Sequence, residues 1–253
     1  MKPQCLVLLL LVNAVSISSL EADEPRPHVV MLIAEREYQT ELSLPKFASD
    51  HLGAYRVTFV YEDPSDKNRF SGIEAIESAD ILLVSVRRRT LPEKQLDVVR
   101  RYVAAGKPVV GIRTASHAFC LRNQDPPKGR AGWPEFDAEV FGGAYTNHYG
   151  NELKATIATV KNAAEDDPLL AGLDSKQSFV AGGSLYRVSP VDEKANVLLE
   201  GRVRGEAPEP AAWTFTRKDG GKSFYTSLGH VDDFRGKLLP RLLVNALNWC
   251  RQG

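Results

Sequence analysis

The feature that most constrains this chain is an alternation. Four runs rich in aliphatic and β-branched residues, His28–Ala34, Tyr55–Tyr61, Asp80–Val86 and Lys107–Ile112, recur at near-regular intervals. The first, third and fourth are apolar at almost every position, as expected of strands buried on both faces. Helical patterns lie between them. Leu42–Leu52 places Leu44, Phe47, Ala48 and Leu52 on one side. A second helix is expected from Thr90-x-x-Glu93, a capping-box spacing with Pro92 in the first turn; it carries Leu96, Val99 and Val103 as a stripe and stops at Gly106. Strand–helix–strand repetition builds a parallel sheet, because each crossover lays its helix on a face. The expected class is therefore α/β, a doubly wound and mostly parallel sheet with helices on both faces.

The second half is richer in strands. Ala155–Val160, Ser184–Val188, Asn196–Gly201, Ala211–Thr216 and Ser223–Leu228 are short candidates, the last two joined by a turn at Asp219-Gly220-Gly221. Lys237–Trp249 is expected to be an amphipathic helix with Leu238, Leu242, Val244, Leu247 and Trp249 mostly inward. No linker divides the chain, so residues 23–253 are expected to form one domain. At 253 residues, 43% apolar and 25% charged, it has the composition of a globular fold.

The first residues fall outside that pattern. Lys2 precedes an apolar run from Cys5 to Val12, with apolar character persisting to Ile17 and small residues at Ser16, Ser18 and Ala22. Residues 1–22 read as a secretory signal, too short for a comfortable membrane span. The expected location is periplasmic or extracellular, with no stable membrane insertion after cleavage. Lys plus Arg balances Asp plus Glu at 32 each, which disfavours a nucleic-acid partner. Of three cysteines, cleavage removes Cys5 and leaves Cys120 and Cys250, which are free to pair in an oxidising compartment.

In open parallel sheets ligands bind beyond the carboxyl ends of the strands. Four loops leave the expected strands there: Glu35-Arg36-Glu37-Tyr38, Arg87-Arg88-Arg89, Arg113-Thr114-Ala115-Ser116-His117 and Gly229-His230-Val231-Asp232-Asp233. Carboxylates, guanidinium forks and imidazoles suit sugar hydroxyls or an anionic substrate. The plain alternative is that these charges pair with one another on a solvated rim.

Gly111-Ile112-Arg113-Thr114-Ala115 has the form of a nucleophile elbow, small-x-nucleophile-x-small, where a strand turns sharply. Class I glutamine amidotransferases place Cys at its centre; here the centre is Arg113, and Cys120 lies two helical turns further on. Other segments carry a resemblance: Tyr38-Gln39-Thr40-Glu41-x-Ser43-Leu44-Pro45, Gly111 to Phe119, Phe141-Gly142-Gly143 with His148-x-Gly150, Pro210-Ala211-Ala212-Trp213, and Gly221 to His230. On these residues the chain resembles the ThuA-like (trehalose-utilisation) proteins, which share the class I glutamine amidotransferase-like, flavodoxin-like fold. It departs from them at Gly182-Gly183-Ser184-Leu185-Tyr186, where an acidic residue often precedes the tyrosine, and at Ser223, where an Arg commonly stands. The resemblance implies a role in carbohydrate catabolism without amidotransferase chemistry.

Two function classes follow. The first is an exported enzyme acting on a carbohydrate or a derivative, with His117 and His148 as an acid–base pair and Glu35 or Glu37 as a further carboxylate. Tyr38, Arg87, Arg89, Arg113, Tyr186, Trp213 and His230 would bind the substrate. The second is a non-catalytic carbohydrate-binding or accessory protein on the same scaffold. The histidines suit either acid–base work or a metal, with no H-x-x-x-H spacing to favour the latter; cofactor and oligomeric state stay open.

Overall fold

The computed structural model describes residues 25–160 and 166–252, so the expected signal, residues 1–22, and Cys5 lie outside the described residues. Five strands run parallel: β1 (His28–Ala34), β2 (Arg56–Asp63), β4 (Ile81–Val86), β5 (Val109–Ile112) and β12 (Lys222–Thr226). The others are β3 (Asp66–Phe70), β6 (Asn147–His148), β7 (Thr156–Thr159), β8 (Phe179–Val180), β9 (Tyr186–Arg187), β10 (Asn196–Arg202) and β11 (Glu209–Thr216). Ten of them form one sheet in the order β3-β2-β1-β4-β5-β12-β11-β10-β7-β8, and β6 pairs with β9 apart from it.

β1 is an interior strand, third from one edge, and all seven of its residues are buried. Val29, Met31 and Ile33 face a core shared with α1 (Thr40–His51) and α4 (Leu238–Arg251). Val30, Leu32 and Ala34 face the opposite core, under α2 (Glu93–Ala104) and the 3-10 turn Ile73–Ser78. Burying each of the larger of these side chains contributes roughly 1.5–3 kcal/mol, which is why a strand of this composition lies inside the sheet and not at its edge. Helices thus cover both faces of the parallel part.

The sheet as a whole is mixed. Four of its pairings are parallel and five antiparallel, so the expectation of a mostly parallel sheet holds only for the core. One antiparallel pairing, β2 with β3, is in the first half; the other four are in the second. The Asp219–Gly221 turn folds β12 back on β11, with Thr216 opposite Lys222, and hairpin-like pairing then continues outward to β8. The short strands β3, β6 and β8 carry no apolar run that marks them in the sequence. The capping box expected at Thr90 is absent: α2 begins after Pro92 with no side-chain cap, and the Thr90 amide donates to Asn68 Oδ1 at 3.1 Å.

Chain order places the parallel strands as β2-β1-β4-β5-β12, so the direction of winding reverses between β1 and β4. The loops after β1, β4, β5 and β12 all leave from one edge. Among the described residues no helix is long and apolar enough to cross a membrane.

Candidate functional site: a polar cavity at the carboxyl edge

β5 ends in a sharp turn. Ile112 is extended at φ −123°, Arg113 is left-handed at φ 45°, and a 3-10 turn runs from Arg113 to His117. A non-glycine residue in this region costs energy and persists only where its surroundings hold it. Here they do. Tyr225 Oη donates to the Arg113 carbonyl at 2.6 Å. The guanidinium is buried, donating through Nη1 to the carbonyls of Ser184 (3.2 Å) and Ser227 (2.9 Å). It packs on the rings of Tyr38, at 4.0 Å, and Tyr186, at 4.7 Å. Gly183 makes this possible, since a Cβ there would stand 2.5 Å from Nη2. Arg113 therefore ties three segments together, and the Nη1 of this expected substrate-binding residue is engaged with two main-chain carbonyls.

His117 ends the same turn. Its ring stacks on Tyr145 (centroids 4.5 Å, 26° between planes) and tilts against Tyr186 at 6.0 Å. Nδ1 lies 3.1 Å from Ser116 Oγ. Burial, reinforced by the positive charges of Arg88, Arg87, Arg113 and Arg122, pushes its pKa down to about 2. The imidazole is thus neutral across the physiological range. Arg88, left-handed at φ 51°, is pinned alongside by its amide, which donates to the His117 carbonyl at 3.1 Å.

Beside His117 opens a cavity of about 530 Å³, lined among others by Arg88, Ser116, Cys120, Arg122, Asp137 and Tyr145. Asp137 is the residue that the sequence did not single out. It opens a one-turn π-helix, Asp137–Phe141, an uncommon form that recurs at functional sites. Its side chain is 7% exposed, Oδ2 accepts the Tyr145 amide at 2.8 Å, and Oδ1 has no hydrogen-bond partner among the described residues. Burial, only partly offset by the Tyr145 amide, raises its pKa to about 7. The one available signal was the phenylalanine–glycine–glycine run at Phe141–Gly143, whose last glycine leaves the space that Oδ1 occupies.

The expected residues separate into groups. Tyr38, Arg113, Tyr186 and His117 are linked by ring and cation–π contacts, and His230 joins through its edge contact with Tyr38 at 5.9 Å. His230 itself caps α3 (Val231–Arg235), accepting the Asp232 amide at 3.1 Å on Nδ1. Glu35 is buried with both oxygens taken, by the Glu37 and Tyr38 amides at 2.8 Å each; it holds the turn after β1. Burial is the main cause that raises its pKa. Glu37 pairs with Arg87 at 2.9 Å, and Arg89 and Arg36 both pair with Glu62, at 2.6 and 2.7 Å. These charges line a second cleft, of about 720 Å³, in which each arginine has a carboxylate. The catalytic set of His117, His148, Glu35 and Glu37 is therefore not one constellation. His148 is exposed on β6, opposite Tyr186, with Nδ1 2.6 Å from the Tyr149 carbonyl and no hydrogen bond to His117. Trp213, expected to bind the substrate, is instead 1% exposed in the core and donates from Nε1 to the Phe141 carbonyl at 2.6 Å.

Among the described residues Cys120 and Cys250 form no disulfide; Cys120 borders the cavity, whereas Cys250 is buried on α4, where burial pushes its thiol up to about 12. Among the described residues no three His, Cys, Asp or Glu side chains are grouped to hold a metal ion.

Solved structures share this architecture. A ThuA-like protein from Bacteroides uniformis superposes with a TM-score of 0.63 at 19% identity, covering 90% of this chain and 93% of that one. A second, from Parabacteroides merdae, gives 0.65 at 15% identity and 91% of each chain. A β-galactosidase from the haloarchaeon Halorubrum lacusprofundi gives 0.53 at 14% identity, with 87% of this chain covering 30% of that one. At these identities the likeness is one of fold. No curated protein matches the sequence. Residues 28–250, from the first strand to the last helix, match the trehalose utilisation (ThuA) family, and the chain belongs to that family.

Proposed function

We propose that this is an exported protein that binds a carbohydrate or carbohydrate-derived small molecule in the His117 cavity and catalyses proton transfer on it. The observation that carries this is Asp137, a carboxyl more than nine-tenths buried on the cavity wall with one oxygen unpartnered. A group that titrates near pH 7 exists in both protonation states at neutrality, which general acid–base catalysis requires. Neutral His117 contributes a hydrogen-bonding imidazole beside it, as a positioning and polarising group rather than a proton donor. The family's link to trehalose utilisation supports a sugar-like ligand. The signal-like residues 1–22 support export.

Glutamine amidotransferase activity is absent in this proposal. The elbow position holds Arg113, which has no nucleophilic atom, and its Nη1 is engaged with two carbonyls. Binding without turnover is the second reading, favoured by that missing nucleophile.

The test is a panel of sugars and keto-sugars screened by thermal shift, with and without chelator, followed by product analysis on each hit. Specific binding raises Tm. Asp137→Asn should keep the Tm shift and lose about 10²–10⁴ in rate. Full turnover by that variant overturns the proton-transfer role. Stabilisation by no sugar overturns the reading altogether.

A further inference from the structure

The cavity beside His117 differs from the neighbouring cleft in how its charges are used. In the cleft, Arg36, Arg87 and Arg89 each pair with Glu62 or Glu37. On the cavity wall stand two arginines, Arg88 and Arg122, and neither side chain has a hydrogen-bond or carboxylate partner among the described residues. Arg88 is half-buried and its backbone is held at both ends, since its amide donates to His117 and the next amide donates to the Ala118 carbonyl at 2.7 Å. Among the described residues, the only carboxyl on the same wall is Asp137. The wall is therefore cationic, and its field is felt by His117 and by the Tyr145 hydroxyl.

We infer that this cavity takes a polyhydroxylated ligand that carries an anionic group, a carboxylate or a phosphate, seated on the forks of Arg88 and Arg122. Arginine presents its donors in a planar fork that matches either oxyanion. Desolvating two unpaired guanidinium groups costs least when an anion completes them. Ser116 Oγ, His117 and the free oxygen of Asp137 then face the hydroxyl-bearing remainder. This rests on the sugar reading above and narrows it to acidic derivatives.

The experiment uses the full mature chain and compares gluconate, glucose 6-phosphate and glucose by calorimetry and thermal shift. Gluconate or glucose 6-phosphate should bind at least about 10-fold more tightly than glucose, the factor expected of one charge-assisted contact. Which of the two binds tighter identifies the oxyanion. Binding of the anionic sugar should weaken as salt rises, because the arginines are solvent-accessible. Arg122→Gln, an exposed change that leaves the fold alone, should erase about 10-fold of the preference, and Arg88→Gln at least as much. Equal affinity for glucose, or an anionic preference untouched by both variants, overturns the inference while leaving the sugar reading in place. Binding of none of the three overturns this inference; silence across the wider sugar panel as well overturns the parent reading.

Discussion

Asp137 and Gly143 fit each other: the Asp137 carboxyl reaches back to Gly143, and Oδ1 lies where a side chain at 143 would begin. The contact closes the π-turn, with the Gly143 amide donating to the Asp137 carbonyl at 3.1 Å. Gly143→Ala should therefore push the carboxyl out of its place. We expect a stability loss of about 1–3 kcal/mol, the range for overpacking, visible as a lower denaturation midpoint. Activity should fall with it, and an unchanged midpoint would count against the packing described.

Asp137 and His117 should tilt the stability–pH curve in opposite senses. Folded Asp137 keeps its proton to about pH 7, whereas the unfolded side chain releases it near 3.8. The folded state binds the extra proton between those values, so this group makes stability fall as pH rises through that window. Asp137→Asn should remove that fall. Relative to wild type, the variant gains stability as pH goes from about 4 to 7, on the order of 1 kcal/mol or more. Urea midpoints across that range measure it.

His117 works the other way. The folded imidazole stays neutral down to about pH 2, and the unfolded one takes a proton below 6.5. The unfolded state binds the extra proton there, so stability is lost as pH falls below 6.5. His117→Gln should lose less stability than wild type between pH 6.5 and 4. The same midpoints, measured on both variants, check that the two differences carry opposite signs.

The cysteines should react unequally. Cys120 is partly exposed and Cys250 is buried with its thiol raised to about 12. Iodoacetamide applied to the folded protein should label Cys120 alone, slowly, because burial raises that thiol too. Cys250 should label only in denaturant, and mass spectrometry of the peptides reads both. A Cys120–Cys250 disulfide in the native protein would contradict the structure.

Arg113→Met keeps most of the side-chain volume and removes the charge. The Ser184 and Ser227 carbonyls lose their donor, and the Tyr38 and Tyr186 rings lose their cation. A cost of about 2–4 kcal/mol follows from two buried acceptors left unpaired. Thermal unfolding measures it; a neutral substitution would mean that the guanidinium holds nothing.

The parts of the molecule written as apolar periodicity were legible in the sequence. β1, β4 and β5 are runs that only a sheet buried on both faces can use, and α2 carries its stripe in register. The turn at Arg113 was legible because small residues flank it. What stayed hidden depends on contacts distant in the chain. Asp137 looks like any acidic residue of the Glu135–Glu139 stretch until Tyr145 and Gly143 fold over it. Glu35 looks like a free carboxylate because nothing in its neighbours announces that the next amides will occupy it. His148 sits on a two-residue strand, where no periodicity exists to say which way it faces.

The left-handed turn at Arg113 also limits what this scaffold can become. Putting Cys or Ser there would not simply supply a nucleophile. It would withdraw the cation that holds the loops of Tyr38, Ser184 and Ser227 against the end of β5, and it would leave the gap beside Gly183 unfilled. The new side chain would arrive at a site whose walls had lost their fastening. A nucleophile placed at position 113 therefore comes with a loss of stability that further substitutions around Tyr38, Gly183 and Ser184 would have to offset.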